Sequence, residues 1–294
     1  MRLATLEDLP LLCRYLPKEG ARLSTYSPAL LMMWRDYFRL ALSEEAGTLL
    51  CRLAYDGKED SYLFPLGRDP MAAVDRLASE AKREGRPLSF FGLDLPERDA
   101  LLARFPKAGV MCDRGESDYL YETASLAAFP GRRYGGQRNH LNRFSRLYPD
   151  HTVEAITEEN APSLLPFLDE FAALHAERPL FREELAMTRE VLLHYRLYGM
   201  DGILLRVGDK PVAFAAGKVM GNTLSVHIEK ADVRIGGSYQ KIVSALASRY
   251  DPLAVPYINR EDDMGSEGLR TSKLSYHPVS ILEKWRMKIP SEAL

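Results

Sequence analysis

Apolar residues in this chain recur at two spacings, and the switches between them mark out its elements. Leu6, Leu9, Leu12, Cys13 and Leu16 fall three and four apart, which predicts a short helix over 5–16, stopped by Pro17 and Gly20. Ser27-Pro28 starts a second helical pattern through Leu30, Leu31, Trp34, Tyr37 and Phe38. Two strand-like runs, Thr48 to Tyr55 and Ser61 to Leu66, flank Asp56-Gly57, a pair that favours a tight hairpin turn. Val74, Leu77, Ala78 and Ala81 line one face of a helix over 71–84, ended by Gly85 and Pro87. Leu88 to Leu93 is a buried-strand run, Pro96 to Phe105 a helix with proline in its first turn, and Tyr119 to Tyr121 a short strand.

Phe129 to Gly136 concentrates Pro and Gly and is the expected junction between two halves, residues 1–128 and 129–294. Beyond it lie a helix over 137–148 and a strand over 151–156, then helices over 162–175 and 181–198. Gly202 to Val207, Val212 to Val219 and Thr223 to Glu229 are three successive strands, with turns at Asp209 and at Gly221-Asn222. A glycine-preceded helix over 239–250 and a strand over 254–258 complete the pattern. Helices and strands interleaved in this way predict an α/β (α+β) class with mixed sheets.

The chain's 294 residues suffice for two domains or one large one, and 46% hydrophobic with 27% charged residues suits a globular fold with a real core. A formal net charge of −2 provides no global attraction to nucleic acid or to an anionic membrane, so such binding requires a local patch. The best candidate is 131–148, which holds Arg132, Arg133, Arg138, Arg143 and Arg146 and no acid. A solvated helix face paired with carboxylates elsewhere fits it equally well. Cys13, Cys51 and Cys112 are odd in number and widely spaced, which suits free thiols in a reducing compartment and no disulfide frame. Glu7, Asp8 and two prolines interrupt what a secretion signal would keep apolar, and apolar runs such as Ala29 to Trp34 fall far short of the roughly 20 residues a membrane helix needs. A cytoplasmic protein without a transmembrane segment is expected.

One stretch breaks the pattern. From Tyr257 to Pro278 a buried strand gives way to Glu261, Asp262 and Asp263, then to Gly265 and Gly268, then to Arg270 and Lys273. A core does not need such a string, since each charge must be solvated or paired. A helical turn would put Arg270 and Lys273, three apart, on one face. A solvated acidic loop followed by a surface helix is the plainer alternative.

Tyr257-Ile-Asn-Arg-Glu-Asp-Asp-Met-Gly265, Gly268-Leu-Arg270, Lys273 and Ser275-Tyr-x-Pro278 resemble the closing motif of the DUF2156 family, which is related to the C-terminal domain of phosphatidylglycerol lysyltransferases. Arg138-Asn-His140 with Asn142, Phe144 and Tyr148-Pro149 resembles a second family motif, and His227 to Asp232 a third. The blocks occur in the family's order. The resemblance, together with the element order of the C-terminal half, implies two tandem GNAT-like (N-acetyltransferase-like) halves, as in the Fem-type peptidoglycan aminoacyltransferases.

It also implies a site. Amide formation from an aminoacyl ester needs oxyanion stabilisation and at times a base for the acceptor proton. Lys273 is the expected oxyanion or phosphate contact, with Arg270 beside it, and Asp263 is the expected acceptor-orienting group, with Glu229 second. Structural ion pairs, Asp263 with Arg270 and Glu229 with Lys230 or Arg260, fit the same residues. Replacing Lys273 or Asp263 by Ala is expected to abolish function while moving the melting temperature by a few degrees at most.

Arg234, Gly236, Gly237 and Ser238 precede a helix whose start offers free N–H groups to an anion, and Arg138, Asn139 and His140 are candidate donor contacts. A glycine-rich turn with Ser238 as an ordinary N-cap explains the first set as well. Tyr239 stands where the GNAT pyrophosphate loop asks for a small residue, which weighs against coenzyme A. No HExxH or close metal-ligating pair occurs among the six histidines, so neither a metal nor another cofactor is expected. The reading is a monomeric acyltransferase-like enzyme moving an aminoacyl group, with aminoacyl-tRNA as the donor, to a small-molecule or lipid head-group acceptor. A CoA-dependent N-acyltransferase and a non-catalytic tRNA- or anion-binding protein are the alternatives.

Overall fold

The computed structural model describes residues 1–16, 20–54, 59–175 and 180–294. The chain begins with β1 (Arg2–Leu3), α1 (Leu9–Tyr15), α2 (Pro28–Met33), β2 (Ala41–Glu45), β3 (Thr48–Leu53), β4 (Ser61–Tyr62) and β5 (Leu66–Gly67). There follow α3 (Pro70–Glu84), β6 (Leu88–Leu93), α4 (Leu95–Arg104), β7 (Gly109–Cys112), β8 (Asp118–Glu122), α5 (Thr123–Ala128), α6 (Gly135–Leu147) and β9 (Thr152–Ala155). Then come α7 (Leu165–His175), α8 (Phe181–Leu193), α9 (Tyr195–Tyr198), β10 (Asp201–Val207), β11 (Lys210–Met220) and β12 (Thr223–Ala231). The chain closes with α10 (Ser238–Ala247), β13 (Tyr257–Asn259), α11 (Glu267–Leu274), β14 (Ser280–Leu282) and β15 (Trp285–Ile289). The class is mixed α/β with two mixed sheets, as the apolar spacing predicts.

These elements form two compact units. The first takes Met1–Asp118, Asp262–Glu267 and Ile281–Leu294, and the second Tyr119–Glu261 and Gly268–Ser280. The sheet of the first runs β1-β2-β3-β4-β6-β15-β7, with β5 paired to β3. β15 sits antiparallel between β6 and β7, with Met287 opposite both Phe90 and Val110. Its inward residues Met287 and Ile289 join a core made by Val74, Leu77, Phe90 and Leu101. The pattern reading divides the chain once, at 128/129; the compact units also bring the end of the chain back into the first sheet.

Local chemistry explains the elements around this core. α3 buries Ala73, Val74, Leu77, Ala78 and Ala81 on one stripe, is capped by Asp69 accepting from Ala72 N at 3.0 Å, and ends at left-handed Gly85. In α4, Asp94 and Glu97 form a reciprocal capping box, and the Tyr26 hydroxyl donates to Glu97. The Asp56-Gly57 turn lies outside the described residues, although the strands flanking it pair antiparallel, Arg52 opposite Tyr62. The β2–β3 hairpin was not predicted; Ser43, Glu44 and Glu45 obscure its apolar pattern.

The second sheet runs β14-β8-β13-β12-β11-β10-β9. Its central strands are nearly all apolar: Ile203 to Leu205, Val212 to Ala216, and Leu224, Val226 and Ile228 are buried. α10 packs Ile242, Val243, Leu246 and Ala247 inward. The helix predicted over 181–198 divides at His194 into α8 and α9, and the one predicted to Tyr250 ends at Ala247. Lys230 is buried beneath α7 and α8, its ammonium paired with Glu184 and 5.0 Å from the Phe171 ring centroid. Among the described residues no helix is long and apolar enough to cross a membrane.

Candidate functional site

β12 and β13 run parallel through three residue pairs, ending at Ser225 and Asn259. Beyond Asn259 the chain stays with β8: Arg260 N donates to Tyr119 O at 3.0 Å, and Tyr119 N to Glu261 O at 3.1 Å. On the other side β12 carries a bulge against β11, with Ile228 opposite Ala216 and Val226 opposite Gly217, so that His227 has no partner in register. A Cβ on Gly217 would stand 2.2 Å from Ser225 O, so the close approach at the bulge requires glycine. The two parallel strands therefore part, and charged side chains bridge the opening.

Arg260 grips Glu229 through one edge of its guanidinium, Nη2 donating to Oε1 at 2.6 Å and Nε to Oε2 at 3.1 Å. The pair is buried, and the guanidinium lies 4.5 Å from the Tyr276 ring centroid and 5.5 Å from that of Tyr121. Burial opposes the Arg260 charge, but Glu229 and the neighbouring tyrosines outweigh it and hold its pKa above the usual value. Burial pushes the Tyr276 hydroxyl up to about 12. One Arg260 nitrogen, Nη1, is buried with no hydrogen-bond partner among the described residues.

One residue further on, Glu261 Oε1 meets His227 Nδ1 at 2.6 Å; the His227 side chain is fully enclosed, while that of Glu261 keeps 23% of its surface exposed. Glu261 adopts a left-handed φ of 58°, and its N–H donates to Asn259 Oδ1 at 2.7 Å. Lys273, on α11, donates to the carbonyls of Arg260 and of Glu261, the latter at 3.3 Å, and its ammonium lies 5.7 Å from the Tyr119 ring centroid. Tyr121 OH returns a bond to Lys273 O at 2.8 Å. Lys273 and Glu229 thus meet the same residue, Arg260, from its backbone and side-chain ends. Arg270, on the same helix, is half-buried.

Asp263 belongs to the first unit. Its side chain has no exposed surface, accepts from Gly265 N at 2.9 Å and lies 3.6 Å from Arg114. Its backbone carbonyl accepts from Ser266 N at 2.8 Å. Asp262 meets Lys284 at 3.2 Å, and Lys284 meets buried Asp118 at 2.6 Å.

The start of α10 is occupied by its own neighbours. Arg234 is bound by Asp232, Nη2 to Oδ2 at 2.7 Å, and by Glu170 at 3.3 Å. Gly237 has φ 93°, and a Cβ there would stand 2.4 Å from His140 O on α6. Gly236 has open space at the equivalent point. Ser238, buried, donates to Asp232 O at 2.9 Å and makes no side-chain cap. Arg138 donates to the carbonyls of Phe129 and Gly131, holding the turn that leads into α6, whereas Asn139 and His140 are exposed. Among the described residues no group of three His, Cys, Asp or Glu side chains is placed to hold a metal ion.

Residues 19–288 match the family described as phosphatidylglycerol lysyltransferase, C-terminal. The chain belongs to that family. A conserved protein of unknown function from Bacteroides thetaiotaomicron VPI-5482 has a similar structure, with a TM-score of 0.90 at 31% identity over 98% of both chains. L-PGS from Bacillus licheniformis is similar with a TM-score of 0.70 at 17% identity, over 97% of this chain and 92% of that one. FemX gives 0.58 at 10% identity over 98% and 96%. The last two similarities, at 17% and 10% identity, concern the fold alone. An uncharacterized protein of Mycoplasmoides gallisepticum is 27% identical over 175 residues; the match covers 59% of this chain and 56% of that relative's length.

Within this lysyltransferase C-terminal family fold, the His227–Glu261 contact and the central place of Arg260 are what sequence reasoning did not assign. A signal was present. His227 and Glu229 are the polar positions of a strand whose neighbours Leu224, Val226 and Ile228 are apolar, and polar residues inside a buried strand call for partners.

Proposed function

We propose that the chain transfers an aminoacyl group from aminoacyl-tRNA to an acceptor nucleophile at the opening between β12 and β13. The observation that carries this reading is that the gap beyond Ser225 and Asn259 is bridged by His227, Glu229, Arg260 and Glu261, where a purely structural sheet would place apolar side chains. In the proposed reaction the acceptor amine or hydroxyl attacks the ester carbonyl. A new bond forms from the acceptor to the carbonyl carbon, the ester C–O bond breaks, and the tRNA hydroxyl leaves with a proton. Glu261 is the proposed acid–base residue, because it joins partial exposure to a strained backbone. His227 and Lys273 are positioning residues, one holding its carboxylate and the other its carbonyl. Asp263, Arg270 and Glu229 then support the fold of the motif rather than touch the reacting atoms.

A coenzyme A donor is less well supported. The α10 start that would meet a pyrophosphate has its arginine paired with Asp232 and Glu170 and its Gly237 pressed against α6. The acceptor is proposed to be either a phospholipid head group, as the family's description names one, or a small amine.

The test supplies tRNA charged with labelled amino acids, together with phosphatidylglycerol vesicles or simple amines, and follows label into product. Glu261→Gln should lower kcat by about 10²–10⁴, the range for general acid–base catalysis, with KM little changed. Consumption of acetyl-CoA by a protein that transfers nothing from charged tRNA would replace this reading with the CoA-dependent one.

A further inference from the structure

Between Glu122 and Asp150 the chain has no acidic residue, and within this run Arg132, Arg133, Arg143 and Arg146 are exposed. Arginines elsewhere on the surface are commonly matched: Arg14 to Glu44, Arg104 to Asp75, Arg189 to Asp169 and Arg206 to Glu154. Among the described residues no carboxylate pairs with Arg132, Arg133, Arg143 or Arg146. The set is therefore a field of one sign on a chain of net charge −2, and its guanidinium groups are not spent on acids among the described residues.

We infer that α6 and the turn before it form a docking surface for the phosphate backbone of base-paired RNA. The inference rests on the aminoacyl-tRNA reading above and adds the place where the RNA is held. Asn139, Arg143 and Arg146 follow each other at four and three residues, one exposed row along a helix about 20 Å long. Arg and Asn side chains are the usual donors to phosphate and sugar oxygens.

Two features separate RNA from other polyanions. An interfacial membrane helix needs an exposed apolar face. On α6 the aromatic residue is buried, Phe144 with its Cβ 2.9 Å from where a Gly237 Cβ would be, and Leu147, 51% exposed, is a single apolar side chain beside Arg143 and Arg146 rather than an apolar face. A single-strand platform needs exposed aromatic rings. Tyr134 is buried, and Tyr148 packs on Phe144 at 5.1 Å between centroids. What remains is a polar, cationic row suited to a duplex backbone.

The experiment is fluorescence anisotropy of labelled bulk tRNA with wild type, the double variant Arg143→Glu/Arg146→Glu, and Arg196→Glu as a control on a residue whose side chain is 84% exposed elsewhere. Expected are at least tenfold weaker binding by the double variant and a log–log salt slope smaller by about two, roughly one per lost phosphate contact; the control should match wild type. Circular dichroism melting checks that the double variant folds, and Arg143→Gln/Arg146→Gln should show an intermediate loss. Equal affinity and slope in wild type and double variant would overturn the proposal. So would loss of binding to phosphatidylglycerol vesicles with tRNA binding unchanged, which would make the surface a membrane contact. tRNA binding that depends on α6 in a protein that transfers nothing removes the reaction and leaves the docking surface standing. Transfer from charged tRNA that ignores the α6 changes does the reverse.

Discussion

Arg260 and Glu229 face each other across the gap between two parallel strands, joined at 2.6 and 3.1 Å and flanked by Tyr121 and Tyr276. A pair so enclosed contributes little net stability over an apolar replacement, but removing one partner leaves a buried charge uncompensated. Glu229→Ala should therefore cost about 3–5 kcal/mol in urea unfolding. A double change, Glu229→Leu with Arg260→Met, should recover most of that loss. If Glu229→Ala unfolds at the wild-type urea concentration, the pair is not the strut described here.

Lys273 and Asp263 are more enclosed than their sequence context suggests. With Asp263 devoid of exposed surface and Lys273 bonded to two carbonyls, neither substitution should leave stability untouched. Lys273→Met and Asp263→Ala should each destabilise by about 1–3 kcal/mol, the cost of leaving partly buried polar groups unmet. Thermal melts of the two variants check this. A melting temperature within a degree of wild type, with function lost, would return both residues to the reacting centre.

Two adjacent glycines offer a control within one loop. Gly237 has φ 93° and its missing Cβ would collide with His140 O, whereas Gly236 has open space. Gly237→Ala should cost about 1–3 kcal/mol through strain and a forced shift of α6. Gly236→Ala should stay within about 0.5 kcal/mol. Similar losses in both would mean that the α6–α10 packing is not set by this contact.

Local signals and distant pairings part company at particular residues. The strand predicted over 223–229, which runs on to Ala231, and the arginine-rich helix are visible in spacing alone, because each depends on residues a few positions apart. Trp285, Met287 and Ile289 alternate as a strand should, yet nothing near them says that their partners are Phe90 and Val110. The partner of Asp263 is Arg114, far back in the chain, and the partner of Glu261 is His227 on a neighbouring strand. Charges whose spacing suggested one cluster thus separate, Asp263 into the first compact unit and Lys273 into the second. Glu229 with Arg260 was foreseeable as one of two pairings, since both stand where buried strands end in charge.

Arg2 and Asp8 give the chain a feature that pH can read. Asp8 is buried, and its carboxylate accepts from both terminal nitrogens of Arg2, Nη1 at 2.7 Å, and from Thr5 N at 2.8 Å. The bond from Arg2 holds its pKa down at about 2, even though burial acts in the opposite direction. In the unfolded chain the same carboxyl titrates at about 3.9. The folded state therefore binds this proton less readily than the unfolded one, so its contribution is fully present above about pH 4 and is lost as pH falls toward 2. Comparing urea midpoints of wild type and Asp8→Asn across this range tests it. The advantage of wild type should be constant from pH 7 to about 4 and shrink steadily below. Because the Arg2 side chain is 62% exposed, added salt should weaken part of the same advantage at neutral pH. A gap between the two proteins that stays unchanged down to pH 2 would mean that Asp8 is held by packing and not by its charge.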